Sequence, residues 1–148
     1  MKKNIILITL SIIFGILFTF FVLNKENTYA KEEYMVYAFQ TGAFENKEYA
    51  IKYSEKFPSS IVIQDKNLFK IYVAMYKDID LINEMVVYFE DKDINVYLKS
   101  INVNRTFYQL LEDYELLIKN SNDKNMYNNI NQSILNSFLE SMEYENIY

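Results

Sequence analysis

The sequence predicts an α+β protein built on a four-stranded antiparallel sheet, with strands and helices in the order β-α-β-β-α-β. Three observations indicate this fold class. Four stretches are rich in β-branched and aromatic residues, apolar stripes at helical spacing follow the first and the third of them, and two further stripes follow the last strand. The full expectation is a split βαβ sheet with two helices on one face, preceded by a transmembrane helix and followed by an αα-hairpin.

The first element is a long apolar segment without charges, over residues 5–23, which follows Lys2 and Lys3. A bilayer core needs about 20 apolar residues in a helix, whereas the core of a cleaved signal needs only about 7–15. Residues 5–23 are therefore predicted to be a transmembrane helix, with 1–4 in the cytoplasm, 24–33 as a linker and the body outside the cytoplasm. Cleavage after Ala30 stays open as an alternative and would also export the body.

The body then alternates strands and helices. Pro58 ends the first helix, and the triplet Asp65, Lys66 and Asn67 predicts a tight turn between the second and third strands. The predicted strands cover 34–41, 60–64, 68–76 and 95–101, and the predicted helices cover 45–57 and 80–92. Two strand–turn–helix halves of this kind pair into one sheet over 34–103, which leaves the second sheet face bare.

The stretch "QTGAF" contains one of only two glycines in the chain, Gly42, at the predicted end of the first strand. A short turn from strand to helix favours a residue that can adopt positive φ, so Gly42 is predicted to be a left-handed turn residue. Phe44 is then expected to enter the core beneath the helix. Replacing Gly42 with a β-branched residue should therefore destabilise the fold.

Composition excludes several classes of function. The chain of 148 residues has no His and no Cys, which removes thiol nucleophiles, imidazole catalysis and the usual zinc sites. Its net charge of −5 argues against nucleic-acid binding. The acidic residues of the body fall on predicted helix surfaces and turns beside lysines, not in pairs at strand ends. We therefore expect no catalytic residues, no metal and no cofactor.

Strand alternation predicts which side chains the bare face carries. They are an amide, two lysines and two tyrosines, namely Gln40, Lys70, Tyr72, Tyr97 and Lys99. Amide, phenol and ammonium groups can hydrogen-bond sugar hydroxyls, and tyrosine rings can lie against the C–H faces of sugars. A solvated face with scattered tyrosines is the alternative interpretation of the same residues.

Gln40, Gly42 and Phe44 in "QTGAF", followed by a helix with Ala50, resemble the signature of the SPOR (sporulation-related repeat) domain. "FKIYVAMY", residues 69–76, is similar to the family's third strand. The resemblance covers residues 34–103 and implies a non-catalytic domain that binds septal peptidoglycan, at glycan strands stripped of their stem peptides. It implies that Gln40 faces the glycan.

The chain departs from the family pattern at several positions. Ala43 stands where the family usually has serine, and Lys70 stands where arginine is common. Ala74 and Met75 replace the usual Gly-Pro pair. These departures remove a hydroxyl and alter a turn, so they bear on affinity for glycan more than on the fold.

Residues 104–148 lie beyond the resemblance and carry two apolar stripes at helical spacing, with Asn104 and Asp123 as predicted caps. The stripes either pack on the domain itself or against each other, or they form a surface for a partner protein or a second copy. Two functions follow. The first is a membrane-anchored glycan binder in cell division or sporulation. The second is a protein-interaction module of a membrane complex that keeps the SPOR-like fold without glycan binding.

Overall fold

The structure is a computed structural model that describes residues 34–121 and 123–145. The predicted cytoplasmic tail, the transmembrane helix over 5–23 and the linker over 24–33 lie outside the described residues. Within the described ranges, none of the helices combines the length and the apolar character needed to cross a bilayer. Residues 33–148 form one compact unit.

This unit is an α+β domain with one four-stranded antiparallel sheet and four helices among the described residues, which confirms the predicted fold class. In chain order the elements are β1 (Tyr34–Phe44), α1 (Lys47–Ser54), β2 (Ile61–Asp65), β3 (Leu68–Tyr76), α2 (Ile79–Glu90), β4 (Tyr97–Val103), α3 (Arg105–Lys119) and α4 (Lys124–Glu145). The strands lie in the order β2-β3-β1-β4, so β1 and β3 are central while β2 and β4 form the edges.

Side-chain caps fix where three of the helices begin. Asn46, Asp78 and Asn104 each accept a hydrogen bond from the backbone N–H three residues further on, at 3.1, 3.0 and 2.8 Å. Each bond satisfies one of the amide groups that a helix leaves unpaired at its first turn. The predicted cap at Asn104 is therefore confirmed, and it ends β4 at the start of α3.

Gly42 does not have the conformation that the sequence predicted. The strand β1 continues through Gly42 to Phe44, and Gly42 does not have positive φ. The reason for glycine is space: a Cβ atom on Gly42 would lie 2.8 Å from Cε2 of Phe44. Phe44 packs against Tyr53 of α1 with ring centroids 5.2 Å apart, but it is half-buried rather than enclosed in the core.

We expect Gly42→Val to destabilise the domain by about 1–3 kcal/mol, the usual cost of forcing extra atoms into a packed site. The added side chain would push the Phe44 ring away from Tyr53. Urea unfolding of residues 33–148 measures the loss, with Ala43→Val at the exposed neighbouring position as the control. In a Phe44→Ala background the cost of Gly42→Val should largely disappear. An undiminished cost there would show that the Phe44 ring is not the obstacle.

The prediction of a bare sheet face is wrong, because α4 packs on the sheet. Residues Ile71 to Tyr76 of β3 are all buried, and successive strand residues point to opposite faces, so both faces of β3 are covered. The helix α1 contacts β1, β2 and β3, α2 contacts β3, and α4 contacts both β3 and α3. The apolar stripe of α4 is buried in this way, at Ile130, Ile134 and Phe138.

The two C-terminal helices are therefore part of the domain core, and the intramolecular alternative for their apolar stripes is the one observed. α3 buries Phe107, Leu111 and Ile118, and it leaves Leu116 and Leu117 exposed. A partner or second copy that contacts residues 104–148 stays a prediction. The exposed leucines of α3 are the part of this segment that such a partner could reach.

Candidate functional site

The sheet register brings the predicted binding residues of three strands together. Gln40 of β1 lies opposite Tyr72 of β3 on one side and opposite Tyr97 of β4 on the other. Residues directly opposite each other in antiparallel strands point to the same face, so these three share one face. Lys99 follows Tyr97 by two residues along β4 and points the same way. The register is irregular between Phe39 and Gly42, next to Gln40.

This face contains a cavity of about 360 Å³ between the sheet and α4. Ligand pockets in proteins occupy roughly 300–1,000 Å³, so this cavity is at the small end of the range. Strand residues provide most of the lining and α4 provides two apolar side chains. The lining residues are Ile63, Gln64, Asp65, Lys70, Tyr72, Lys99, Ser100, Ile101, Phe138 and Met142.

The predicted site residues differ sharply in accessibility. Tyr72 is 6% exposed because α4 covers it, so its ring cannot be the sugar-stacking surface that the sequence predicted. Tyr97 is 63% exposed, and Lys99 is exposed beside it. Ala43 is exposed and lies opposite Lys70, at the far end of the same sheet. The accessible part of the face is therefore the β4 edge and the mouth of the cavity.

Gln40 has an unusual environment for a binding residue. It is only 9% exposed, and its Oε1 accepts no hydrogen bond from the described residues. The hydroxyl oxygen of the adjacent Thr41 is also buried without a partner there. A buried polar atom without a hydrogen bond costs about 1–3 kcal/mol. Gln40 therefore has a buried acceptor that an internal water molecule would satisfy.

Two of the charged groups that line the cavity form an ion pair. Lys70 donates a hydrogen bond to Asp65 Oδ2, across the hairpin between β2 and β3. This contact lowers the pKa of Asp65 and raises the pKa of Lys70, while burial raises the pKa of the Tyr72 phenol. The Lys70 ammonium, the neutral Tyr72 phenol and the Lys99 ammonium are all hydrogen-bond donors.

A second, more polar groove lies between α3 and the loop that joins β3 to α2. It measures about 720 Å³ and is lined by Lys77, Asp78, Tyr108, Gln109, Glu112, Asp113, Glu115, Leu116 and Lys119. Glu115 is buried, and its Oε1 accepts hydrogen bonds from the backbone N–H groups of Lys77 and Asp78 at 2.5 and 2.9 Å. Sequence patterns did not identify Glu115, because a single acid within an apolar stripe carries no signal of what it contacts.

Burial raises the pKa of Glu115 above its ordinary value, although the two backbone N–H groups act in the opposite direction. The folded state then binds the proton more tightly than the unfolded state, so protonation of Glu115 stabilises the fold. This contribution is fully present below the unfolded-state pKa and is lost as pH rises through the folded-state pKa. The amide of Gln at this position could accept the same two hydrogen bonds without a charge.

We therefore expect Glu115→Gln to become progressively more stable relative to the parent protein as pH rises from about 4 to about 7. Melting temperatures of both proteins across this range measure the difference, and other titrating groups cancel in the comparison. Glu112→Gln, at an exposed neighbouring carboxylate, is the control. A constant difference between Glu115→Gln and the parent would contradict the raised pKa.

The described parts of the chain contain no cluster of side chains suited to hold a metal ion. Within them, no three residues among His, Cys, Asp and Glu are grouped to hold a metal ion. The carboxylates on and directly after the first two helices, including Glu48, Glu55 and Glu84, are exposed. That the protein is not an enzyme stays a prediction.

Comparison with known proteins gives no relative. No protein-family model, no curated protein and no solved structure matches this chain. The SPOR resemblance therefore depends on the short motif around Gly42 and on the order of elements. Its functional consequences are proposals.

Proposed function

We propose that this protein is a membrane-anchored, SPOR-like binder of septal peptidoglycan, held by residues 5–23 with its body outside the cytoplasm. It would act in cell division or sporulation as a non-catalytic localising module. The observation that supports the proposal is the exposed ring of Tyr97 beside the exposed Lys99, on the sheet face where the register also brings Gln40. Gln40 is the residue that the resemblance assigns to the glycan.

The fold supports the proposal. The strand order β2-β3-β1-β4, with all neighbours antiparallel, is the arrangement expected of a split βαβ sheet. In such a sheet the two halves place their first strands at the centre. Here the motif strand β1 is central, with β3 and β4 on either side of Gln40.

The geometry indicates how a glycan would bind. The exposed Tyr97 ring offers an apolar platform at the β4 edge, and Lys99 offers a charged donor next to it. The cavity lined in part by Lys99 is large enough for one substituent of a sugar, such as an acetamide. The glycan strand would then lie along β4, and not across Tyr72 as the sequence alone predicted.

One observation favours the second function, a protein-interaction module without glycan binding. The helix α4 covers Tyr72 and the centre of the face on which the family is expected to hold its ligand. The exposed leucines of α3 would then be the contact surface. We keep this as the alternative, because α4 leaves Tyr97 and Lys99 accessible.

Sedimentation with purified wall sacculi tests the proposal. The full chain in mild detergent should pellet with sacculi, and more of it should pellet after an amidase has removed the stem peptides. Failure to pellet with either preparation at micromolar protein would favour the interaction module.

We expect Tyr97→Ala to reduce binding by roughly twofold to tenfold, using the contribution of an aromatic contact as a guide. Lys99→Gln should weaken binding by a similar or smaller factor, since exposed charged contacts contribute little. Leu98→Ala is the matched control, because Leu98 is exposed on the same strand but points to the opposite face. Equal effects of Leu98→Ala and Tyr97→Ala would place the ligand elsewhere.

A further inference from the structure

Strand β4 differs from the other edge strand of the sheet in having little cover from the described chain. Its first four residues, 97–100, are all exposed, although they alternate between the two sheet faces. Its seven residues pair with β1 without a register shift, so the strand is regular throughout. The other edge strand, β2, has five residues, and α4 reaches its start, where Gln132 accepts a hydrogen bond from the backbone N–H of Ser60.

An exposed edge strand presents backbone N–H and C=O groups with which a further strand can pair. Proteins usually protect such edges with a proline, a β-bulge, a very short strand or charged side chains. Of these devices β4 has only one, the charge of Lys99. The edge therefore suits a partner strand that does not place a positive charge opposite Lys99.

We propose that this partner strand is β4 of a second copy, paired antiparallel about a two-fold axis at Ser100. In this register all seven residues of the strand are paired, and Lys99 of each copy lies opposite Ile101 of the other. Moving the axis to Lys99 would put two ammonium groups directly opposite each other, which is destabilising. Moving it to Ile101 would leave Tyr97 and Leu98 without partners in the strand.

Charges at the two ends of β4 favour an antiparallel copy over a parallel one. Residues 90–93, shortly before the strand, comprise three acids and Lys92, whereas residues 101–108 at its other end contain Arg105 and no acid. Arg105 and Asp93 are both exposed and form no ion pair within the described chain. Antiparallel pairing brings the Arg105 end of each copy to the acidic end of the other, while parallel pairing would bring like ends together.

Such a dimer is closed, because each copy uses its β4 edge once and the two sheets become one continuous sheet. Residues opposite each other in antiparallel strands point to the same face, so Tyr97 and Lys99 of both copies share one face. The pairing itself does not depend on glycan. Its consequence for binding rests on the proposed function: one glycan strand would contact both copies, and pairing would raise its affinity.

A disulfide between copies tests the pairing, because the chain has no cysteine and one substitution introduces a single thiol per copy. Opposite residues in antiparallel strands have Cα atoms about 4.5 or 5.5 Å apart, within the range of about 4.4–6.8 Å that a disulfide spans. Full-length Ser100→Cys in mild detergent should therefore form a covalent dimer under gentle oxidation. Leu98→Cys is the matched control, since Leu98 is exposed on the same face as Ser100 but would lie about 13 Å from its equivalent across the axis.

Equal cross-linking of Ser100→Cys and Leu98→Cys would indicate random collisions and overturn the proposal. A Ser100→Cys protein that stays uncross-linked would overturn it as well. The same oxidation in native membranes asks whether another occupant takes the edge. A product between Ser100→Cys and a different protein, formed in place of the homodimer, would show that the second copy is the wrong partner.

Ser100→Lys should dissociate the dimer, because it places two ammonium groups opposite each other at the axis. Sedimentation velocity of the full chain in detergent should give a dissociation constant at least tenfold higher than that of the parent. Asn67→Lys adds the same charge at the exposed turn between β2 and β3 and should leave the dimer intact. A dimer that persists unchanged in Ser100→Lys is held by another surface, which would contradict the proposal.

Sedimentation with sacculi separates this inference from the proposed function. If the parent does not pellet while Ser100→Cys forms the covalent dimer, the pairing stands and the glycan-binding function is wrong. If the parent pellets but Ser100→Cys does not cross-link, the function stands and the pairing is wrong. If both hold, Ser100→Lys should pellet less than the parent, since it loses the pairing and keeps Tyr97 and Lys99. Equal pelleting would show that the two copies do not share a glycan strand.

Discussion

Phe138→Ala is expected to lower the free energy of unfolding by about 3–5 kcal/mol, the usual cost of removing a buried phenylalanine. Phe138 lies on α4, is 5% exposed, and packs against Phe107 of α3 with ring centroids 5.3 Å apart. It also lines the cavity next to Tyr72. Truncation would therefore open a void where α3, α4 and the sheet meet. Because Phe138 already borders a cavity, few neighbouring atoms could move in to fill that void.

Urea unfolding of residues 33–148, followed by circular dichroism, measures this effect. Leu117→Ala is the matched control, since Leu117 is a large apolar residue of α3 that is 54% exposed, and it should cost far less. A loss below about 1 kcal/mol for Phe138→Ala would be too small for a buried aromatic residue. It would show that α4 does not pack on the sheet in solution.

Tyr76→Phe is expected to cost about 1–3 kcal/mol, because it leaves a buried acceptor without its donor. Tyr76 and Asn131 are both fully buried, and the phenol donates a hydrogen bond to Asn131 Oδ1. Burial raises the pKa of Tyr76 well above its ordinary value, so the phenol keeps its proton and remains a donor. The Asn131 Nδ2 group has no partner in the described structure.

The double variant Tyr76→Phe, Asn131→Leu should recover most of this loss, since it removes both polar partners and puts an apolar side chain of similar size in place of the amide. Equilibrium unfolding of the two single variants and the double variant gives the coupling energy between the two side chains. Additive losses would mean that the hydrogen bond does not contribute to stability. A double variant that is more stable than the parent would show that the polar pair costs stability in this core.

Local sequence patterns predicted most of the elements. β3 has the predicted bounds, and the turn at Lys66 and the cap at Asn104 also lie where expected, because each depends on residues a few positions apart. The ends of β1 and β4 shifted by two or three residues. β1 extends to Phe44 because pairing with β3 continues that far, and pairing between distant strands is not encoded in either strand alone.

The candidate site was only partly predictable. Alternation within strands correctly placed Gln40, Tyr72 and Tyr97 on one face, as the register shows. It could not show that α4 covers Tyr72, because an apolar stripe indicates that a helix is buried and not what it is buried against. The role of Gly42 was misjudged for a similar reason. A glycine at a strand end has two explanations, positive φ or a close side chain, and only coordinates distinguish them.

Strand β4 has one neighbouring strand in the described structure, β1, so its outer edge can pair with β-strands of other molecules. The exposed side chains of Tyr97 and Leu98 favour such pairing between molecules. The charge of Lys99 opposes it, because copies of β4 stacked in register would bring like charges together. Lys99→Gln would therefore remove a safeguard against self-assembly as well as a sugar contact. Aggregates of that variant would sediment by themselves, so its pelleting has to be compared with a spin that contains no sacculi.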